Sequence, residues 1–227
     1  MYYDKKKDLI IINIQKNIGV IINKILKSKS FIKEHKNILN FEKNIEAMLD
    51  VYGIIEEDSL YNIYTKVFED IDKKEFNKYL INLNLKECPL CIVSLNDTNY
   101  ISILGSDEDE AEEYLNNQTE DYKIYPKEFY INVVNRDYLK SLKFYENLYE
   151  YLLKYYDLDL NEEGKIFELI ICDYLYQVQE SKSKAKEAIL KNLDKYFNIN
   201  SKQKNEIINY LNRIYYDYPK WRKKGNI

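Results

Sequence analysis

The residues best equipped for chemistry in this 227-residue chain are few and widely spread. Cys88 and Cys91 form a CxxC pair, a spacing used by zinc sites and by dithiol redox centres. Structural zinc wants four nitrogen or sulfur ligands. The remainder offers only Cys172 and a single histidine, His35, both distant in sequence. A redox CxxC stands at a helix N-terminus, whereas this pair leads into the strand-like run Ile92-Val93. Two small residues packing in a core is the expectation, with no metal and no cofactor. His35 alone cannot build a histidine-based triad and is expected on a helix surface.

Asp157, Asp159 and Glu163-Gly-Lys165 resemble the acid–acid–lysine arrangement of metal nucleases, but that arrangement belongs on strands. Here it reads as a loop entering a helix. The phosphate-binding, dinucleotide, nucleophile-elbow and zinc-protease signatures are all missing. The chain is therefore expected to bind rather than to catalyse.

Charge carries more information than the reactive residues do. The net charge is −4, but it is unevenly distributed. Residues 1–36 hold nine lysines against three acids, residues 107–122 eight acids and no base, and residues 181–227 twelve basic residues against four acids. Such a dipolar pattern can steer a partner, or its basic ends can fold onto the acidic middle. Asp107, Glu108, Asp109, Glu110, Glu112 and Glu113 are the candidate partner-binding acids. They read as a solvated helix face, as an imitation of nucleic-acid phosphates, or as a cation site, though no ligand-spaced loop supports the last. Lys73, Lys74, Asn77, Lys78 and Asn82 share one face of a predicted helix and are the candidate nucleic-acid contacts. The surrounding residues 37–106 hold six lysines against twelve acids, a poor match to a phosphate backbone. Trp221, the only tryptophan, lies in the basic tail. It could stack on a base or fold back to close the core.

Hydrophobic spacing places these groups. Ile45, Met48, Leu49 and Tyr52 mark a helix face, begun near Asn40 and stopped by Gly53. Leu60, Ile63, Tyr64, Val67 and Phe68 mark a second helix. Phe76, Tyr79, Leu80 and Leu83 mark a third, with Asp72 and Glu75 as a capping box. A hairpin follows, turning at Asn96-Asp97. Ser106 is expected to cap the acidic helix. Residues 118–125 form a polar loop, and Pro126 starts a helix. Further helices are expected over residues 137–156, after Asn161 (apolar nearly all round over 166–178), after Ser181 or Ser183, and after Ser201. Residues 9–26 suit either a helix, through Ile11, Ile14, Ile18, Ile21 and Ile25, or a hairpin of two isoleucine-rich runs. The hairpin is preferred on strand propensity. Scarce Gly and Pro favour a mostly helical protein. The 24 tyrosines sit in a Lys-, Asn- and Ile-rich composition, so codon bias accounts for them as readily as a stacking surface does.

Tyr52-Gly-Ile-Ile, Leu60-Tyr61, the capped helix bearing Phe76, the hairpin, and Trp221-Arg-Lys-Lys-Gly225 together resemble a group of winged-helix-like proteins of low-GC, Firmicutes-type bacteria. Those proteins often end in Trp-x-x-Lys-Gly, some of them ahead of a Cys/His metal tail. The resemblance covers about half of the chain. It implies a bacterial or mobile-element protein with a winged-helix-like module, and it carries over no activity and no functional residues.

The expected fold is mainly α (α+β): a winged-helix-like region with a hairpin over residues 1–106, an acidic connector over 107–125, and an antiparallel helical bundle over 126–227. The expected function is protein–protein contact. A concrete form is an anti-CRISPR-like phage or mobile-element inhibitor of a host defence nuclease, with residues 107–113 imitating nucleic acid. The rival is a winged-helix nucleic-acid-binding regulator using Lys73, Lys74, Asn77 and Lys78. Three cysteines and no secretory signal suggest the cytoplasm, and no membrane partner is expected.

Overall fold

The computed structural model describes residues 2–4, 9–11, 16–84, 90–118, 120–155, 163–196 and 200–227. Cys88, Asp157, Asp159 and Asn161 lie outside these. The described residues are mainly helical with small antiparallel sheets, and no helix among them is long and apolar enough to cross a membrane. The chain divides into two compact units, Met1–Lys43 and Asn44–Ile227.

In the first unit β1 (Tyr2–Asp4) pairs antiparallel with β2 (Leu9–Ile11), Tyr3 opposite Ile10. The hairpin expected within residues 9–26 does not form. Instead α1 (Lys16–Leu26) occupies the second run. The three-and-four spacing of Ile18, Ile21 and Ile25 overrides the strand propensity of isoleucine, which is a weak preference. α2 (Lys29–Tyr52) begins at Ser28, whose hydroxyl accepts from the Phe31 amide at 3.1 Å. Asn40 is therefore interior rather than a cap, because no Gly or Pro separates the linking helix from the next one. His35 is exposed and stacks on Phe31, as expected of a surface residue.

α2 ends at Gly53 (φ +70°), whose amide donates to the Leu49 carbonyl at 2.7 Å. Ile54 and Ile55 are wholly buried and open β3 (Ile54–Glu56), a strand that the hydrophobic pattern alone does not announce. α3 (Glu57–Val67) buries Leu60, Ile63 and Tyr64. α4 (Lys73–Asn84) buries Phe76, Tyr79, Leu80 and Leu83. Asp72 caps it by accepting from the Lys74 amide at 3.0 Å, while Glu75 accepts from the Tyr79 hydroxyl at 2.9 Å. β4 (Cys91–Leu95) and β5 (Thr98–Ser102) form the expected hairpin. Its turn places Asn96 and Asp97 at φ 49° and 63°, the left-handed pair that two-residue hairpins require and that Asn and Asp tolerate. β5 also pairs with β3, Ile101 opposite Ile55, so the sheet order is β3-β5-β4.

α5 (Glu108–Asn116) is capped by Asp107, which accepts from the Glu110 amide at 3.0 Å, not by Ser106. The residue one step closer has the shorter reach to that amide. After the polar loop come α6 (Lys127–Val134), with Pro126 at its N-cap, α7 (Asp137–Ser141) and α8 (Lys143–Tyr155). The expected single helix over 137–156 is thus broken at Leu142. There the Ser141 hydroxyl donates to the Tyr138 carbonyl at 2.7 Å, competing with the helical ladder, and Leu142 turns extended. α9 (Glu163–Glu180) buries one broad side, but Leu169 and Tyr176 face solvent, so it is not enclosed all round. Ser181 caps α10 (Lys182–Tyr196). Asn200, rather than Ser201, caps α11 (Ser201–Tyr216) through a capping box with Gln203, because an amide side chain can reach the third helical amide. Leu148, Leu152, Ile171, Leu175, Ile189, Leu193, Ile207 and Leu211 share one core.

The tail returns to the start of this unit. Trp221 is buried, and its indole N–H donates to the Asp50 carbonyl at 2.9 Å. The Gln118 amide donates to the Trp221 carbonyl at 3.0 Å, and the Tyr125 hydroxyl to the Gly225 carbonyl at 2.8 Å. Tyrosines knit the loop over 120–126 to α2: the Tyr52 hydroxyl donates to the Lys123 carbonyl at 2.7 Å and shares a 2.6 Å hydrogen bond with Tyr130.

Candidate functional site

Three features of the second unit have the chemistry of a site. The first is the outward side of α4. Lys73, Lys74, Lys78 and Ile81 are exposed there, with Asn77 and Asn82 half-buried beside them. All the residues expected to share this face do so, and the face is open. Its charge is less free than its sequence suggests. Lys73 pairs with Asp58 of α3, and the Lys78 ammonium sits 5.6 Å from the Tyr79 ring centre. Ile81, 56% exposed, adds an apolar side chain one turn beyond Lys78. The hairpin turn adds acid rather than base, through Asp97.

The second feature is α5. All six candidate acids, Asp107, Glu108, Asp109, Glu110, Glu112 and Glu113, are exposed. The helix is held from its other side by Ala111 and Tyr114, buried in a cluster with Ile54, Val93 and Trp221. The acids in its first turn suit the helix dipole. Glu110 and Glu113 line a groove of about 230 Å³ that Lys184 and Arg222 also border, and the Arg222 guanidinium lies 5.0 Å from the Tyr114 ring centre. The basic tail thus lies along the acidic segment, as the charge pattern allowed. Trp221 belongs to the core and is not offered to a base.

The third feature was invisible in the motifs. A cavity of about 250 Å³ opens between α2, the α6–α7 turn, α9 and the tail. Asp50 and Glu46, one turn apart on α2, face it, with Arg136, Cys172, Gln179 and Tyr218. Burial and the neighbouring Glu46 push the Asp50 carboxyl up to about 7, against the pull of Arg136. Burial likewise raises the Tyr218 hydroxyl and the Cys172 thiol. Among the described residues no hydrogen bond or ion pair reaches the Asp50 carboxylate or the Tyr218 hydroxyl. Arg136 is engaged with Glu168 of α9 at 3.5 Å, which Lys140 also approaches at 3.3 Å. Arg136 itself holds φ +66°, a left-handed conformation uncommon for a long side chain. Gln179 is fixed by donating to the Pro219 carbonyl at 2.7 Å and accepting from the Trp221 amide at 3.3 Å.

No family model, curated protein or solved structure matches this chain. Its chemistry has to be read from these three features. Of the CxxC, Cys91 is half-buried on β4 and is not among the residues that line these features, and Cys88 lies outside the described residues. Among the described residues no three His, Cys, Asp or Glu side chains converge as a metal site. The sequence offered one clue to the cavity. Asp50 stands directly between the core residues Leu49 and Val51, where a carboxylate is out of place.

Proposed function

We propose that the protein is a binding protein that works through contact with another protein, built on a winged-helix-like unit. The helix–strand–helix–helix–hairpin order of α2 to β5 and the β3-β5-β4 pairing support the winged-helix reading. The observation that carries the functional reading is α5. Its six carboxylates are exposed, and Ala111, Tyr114 and the Asp107 cap hold the backbone beneath them rigid. At 1.5 Å per helical residue, the six acids among the seven residues 107–113 place one charge per roughly 1.75 Å of axis, close to the ~1.7 Å of duplex DNA. A surface of that charge density suits the basic channel of a nucleic-acid-handling enzyme. An inhibitor of a defence nuclease, encoded by a phage or mobile element, is the concrete form of this proposal.

The test is affinity capture from a native host lysate, with and without nuclease digestion. The expected result is a stoichiometric protein partner that survives digestion and is lost when Glu108, Glu110, Glu112 and Glu113 are changed together to Lys. Retention of the partner by that variant would refute the acidic mimic.

One observation favours a second reading, a nucleic-acid-binding regulator: the lysine-bearing side of α4 is open, as groove insertion demands. On that reading Lys74→Ala with Lys78→Ala weakens duplex binding and lowers its salt dependence by about two counterions. The surplus of acid around α4 and the exposed Ile81 one turn beyond Lys78 favour protein contact over phosphate contact.

A further inference from the structure

Three groups on the cavity behind the tail, the carboxylate of Asp50, the hydroxyl of Tyr218 and the thiol of Cys172, belong to three different elements. They converge without bonding to one another, although each perturbs the ionisation of the next. All three side chains are half-buried and border the open space, and among the described residues neither the Asp50 carboxylate nor the Tyr218 hydroxyl is taken up by a hydrogen bond or ion pair. Polar groups from three elements that border one space and leave it open point to something that enters it. We propose that this cavity is a binding site for a small organic cation, its ammonium or guanidinium held at Asp50 and its apolar body laid against Trp221, Tyr176 and Leu175.

The sign of the ligand follows from the charges that face the space. α2 contributes two carboxylates, Asp50 and, nearer solvent, Glu46. The one cation, Arg136, is engaged with Glu168 on α9 and is to that extent unavailable to an anion. The Tyr218 hydroxyl and the Gln179 side chain are neutral, and Lys140, close enough to act on Cys172, is paired with Glu168 at 3.3 Å. A metal ion would need more oxygen or sulfur ligands than converge here among the described residues. An organic cation needs one carboxylate and an aromatic wall. Tyr176 and Trp221 supply that wall, in edge-to-face contact at 4.9 Å. They are held by the Tyr176 hydroxyl donating to the Ile103 carbonyl at 2.7 Å and by the indole bond to Asp50. Val133, Leu139 and Leu175 complete an apolar lining. A volume of about 250 Å³ lies below the ~300–1,000 Å³ of drug-sized sites, so the ligand is of simple-metabolite size.

Trp221, the only tryptophan, lines the site and reports on it. The full chain is titrated with phenethylamine, agmatine and choline, and with the neutral 2-phenylethanol and the anionic 3-phenylpropionate, following tryptophan emission. A saturable change with at least one cation, absent with the neutral and anionic probes, is expected. Asp50→Asn should weaken that cation about tenfold or more. Glu46→Gln, at the exposed mouth and harmless to the core, should weaken it about two- to threefold. Protons compete for Asp50, so cation affinity should fall about tenfold between pH 8 and pH 6. Failure of every cation to saturate, equal binding of the neutral alcohol, or full affinity in both variants would overturn the assignment and leave the space to water.

Discussion

Gly53 and Trp221 make a contact whose energy can be isolated. A Cβ built on Gly53 would lie 2.5, 2.6 and 2.7 Å from three atoms of the indole ring. The ring cannot easily yield, because its N–H is bonded to the Asp50 carbonyl and its edge is packed on Tyr176. Gly53 also has φ +70°, which costs an L-residue about 1–2 kcal/mol. Overpacking adds about 1–3 kcal/mol. Gly53→Ala should therefore destabilise by about 2–5 kcal/mol, out of a total stability on the order of 5–15 kcal/mol. Trp221→Ala alone should cost about 3–5 kcal/mol. In the double variant the ring is gone, and Gly53→Ala should cost only the backbone share of about 1–2 kcal/mol. The difference, about 1–3 kcal/mol, is the coupling energy of a double-mutant cycle. Urea denaturation followed by far-UV circular dichroism measures all four proteins, since fluorescence is lost with the tryptophan. Equal cost of Gly53→Ala in both backgrounds would refute the packing of the tail against the end of α2.

Asp50 makes stability depend on pH. Its carboxyl is raised from an ordinary 3.8 to about 7 in the folded chain, so the native state holds the proton more tightly than the unfolded one. That contribution is complete below about pH 4 and is lost as pH rises through 7. Asp50→Asn should therefore gain on the wild type by about 2–3 kcal/mol between pH 4.5 and pH 8, the full linkage being lessened by partial solvent contact. Urea midpoints of the two proteins at both pH values check it, and parallel behaviour would contradict the burial of that carboxyl. Tyr52→Phe removes the donor to the Lys123 carbonyl and the partner of Tyr130. It should cost about 1–3 kcal/mol by the same assay, whereas Lys73→Ala, whose pair with Asp58 is exposed, should leave the urea midpoint nearly unchanged.

The elements that rest on strong local chemistry were legible in the sequence. Gly53 as a stop, Asp72 as a cap, Asn96-Asp97 as a turn and the buried faces of α3 and α4 each follow from one residue type in one required conformation. Legibility failed where two weak signals competed. Residues 16–26 carry both helical spacing and strand-forming isoleucines, and only cooperative helix formation separates them. Leu142 breaks a helix without Gly or Pro, through a serine hydroxyl that has other uses elsewhere in the chain. β3 is three residues long and is defined by its partner β5, forty-odd residues away, so no local period reports it. The cavity is the extreme case. Its lining comes from α2, from α6, α7 and the turn between them, from α9 and from the tail, and only Asp50, a carboxylate between buried neighbours, hinted at it.

The tail also bears on the function of the acidic segment. Its basic residues lie along that segment, yet the contacts are small: Lys223 to Glu120 at 3.7 Å with both side chains largely in solvent, and Arg222 and Lys224 over the rings of Tyr114 and Tyr122. Each is worth about 1 kcal/mol or less. The larger share of what holds the tail is burial of Trp221 and the seating of Gly225, at φ +82°, against Val51 and Tyr52. Attachment by packing leaves the charges unspent. Among the described residues no ion pair takes up Asp107, Glu108, Asp109, Glu110, Glu112 or Glu113. A helix that concentrates six like charges and leaves them unneutralised bears a repulsive cost that packing beneath it must offset. That cost is relieved when a basic surface docks, which is the physical reason to look for the partner there.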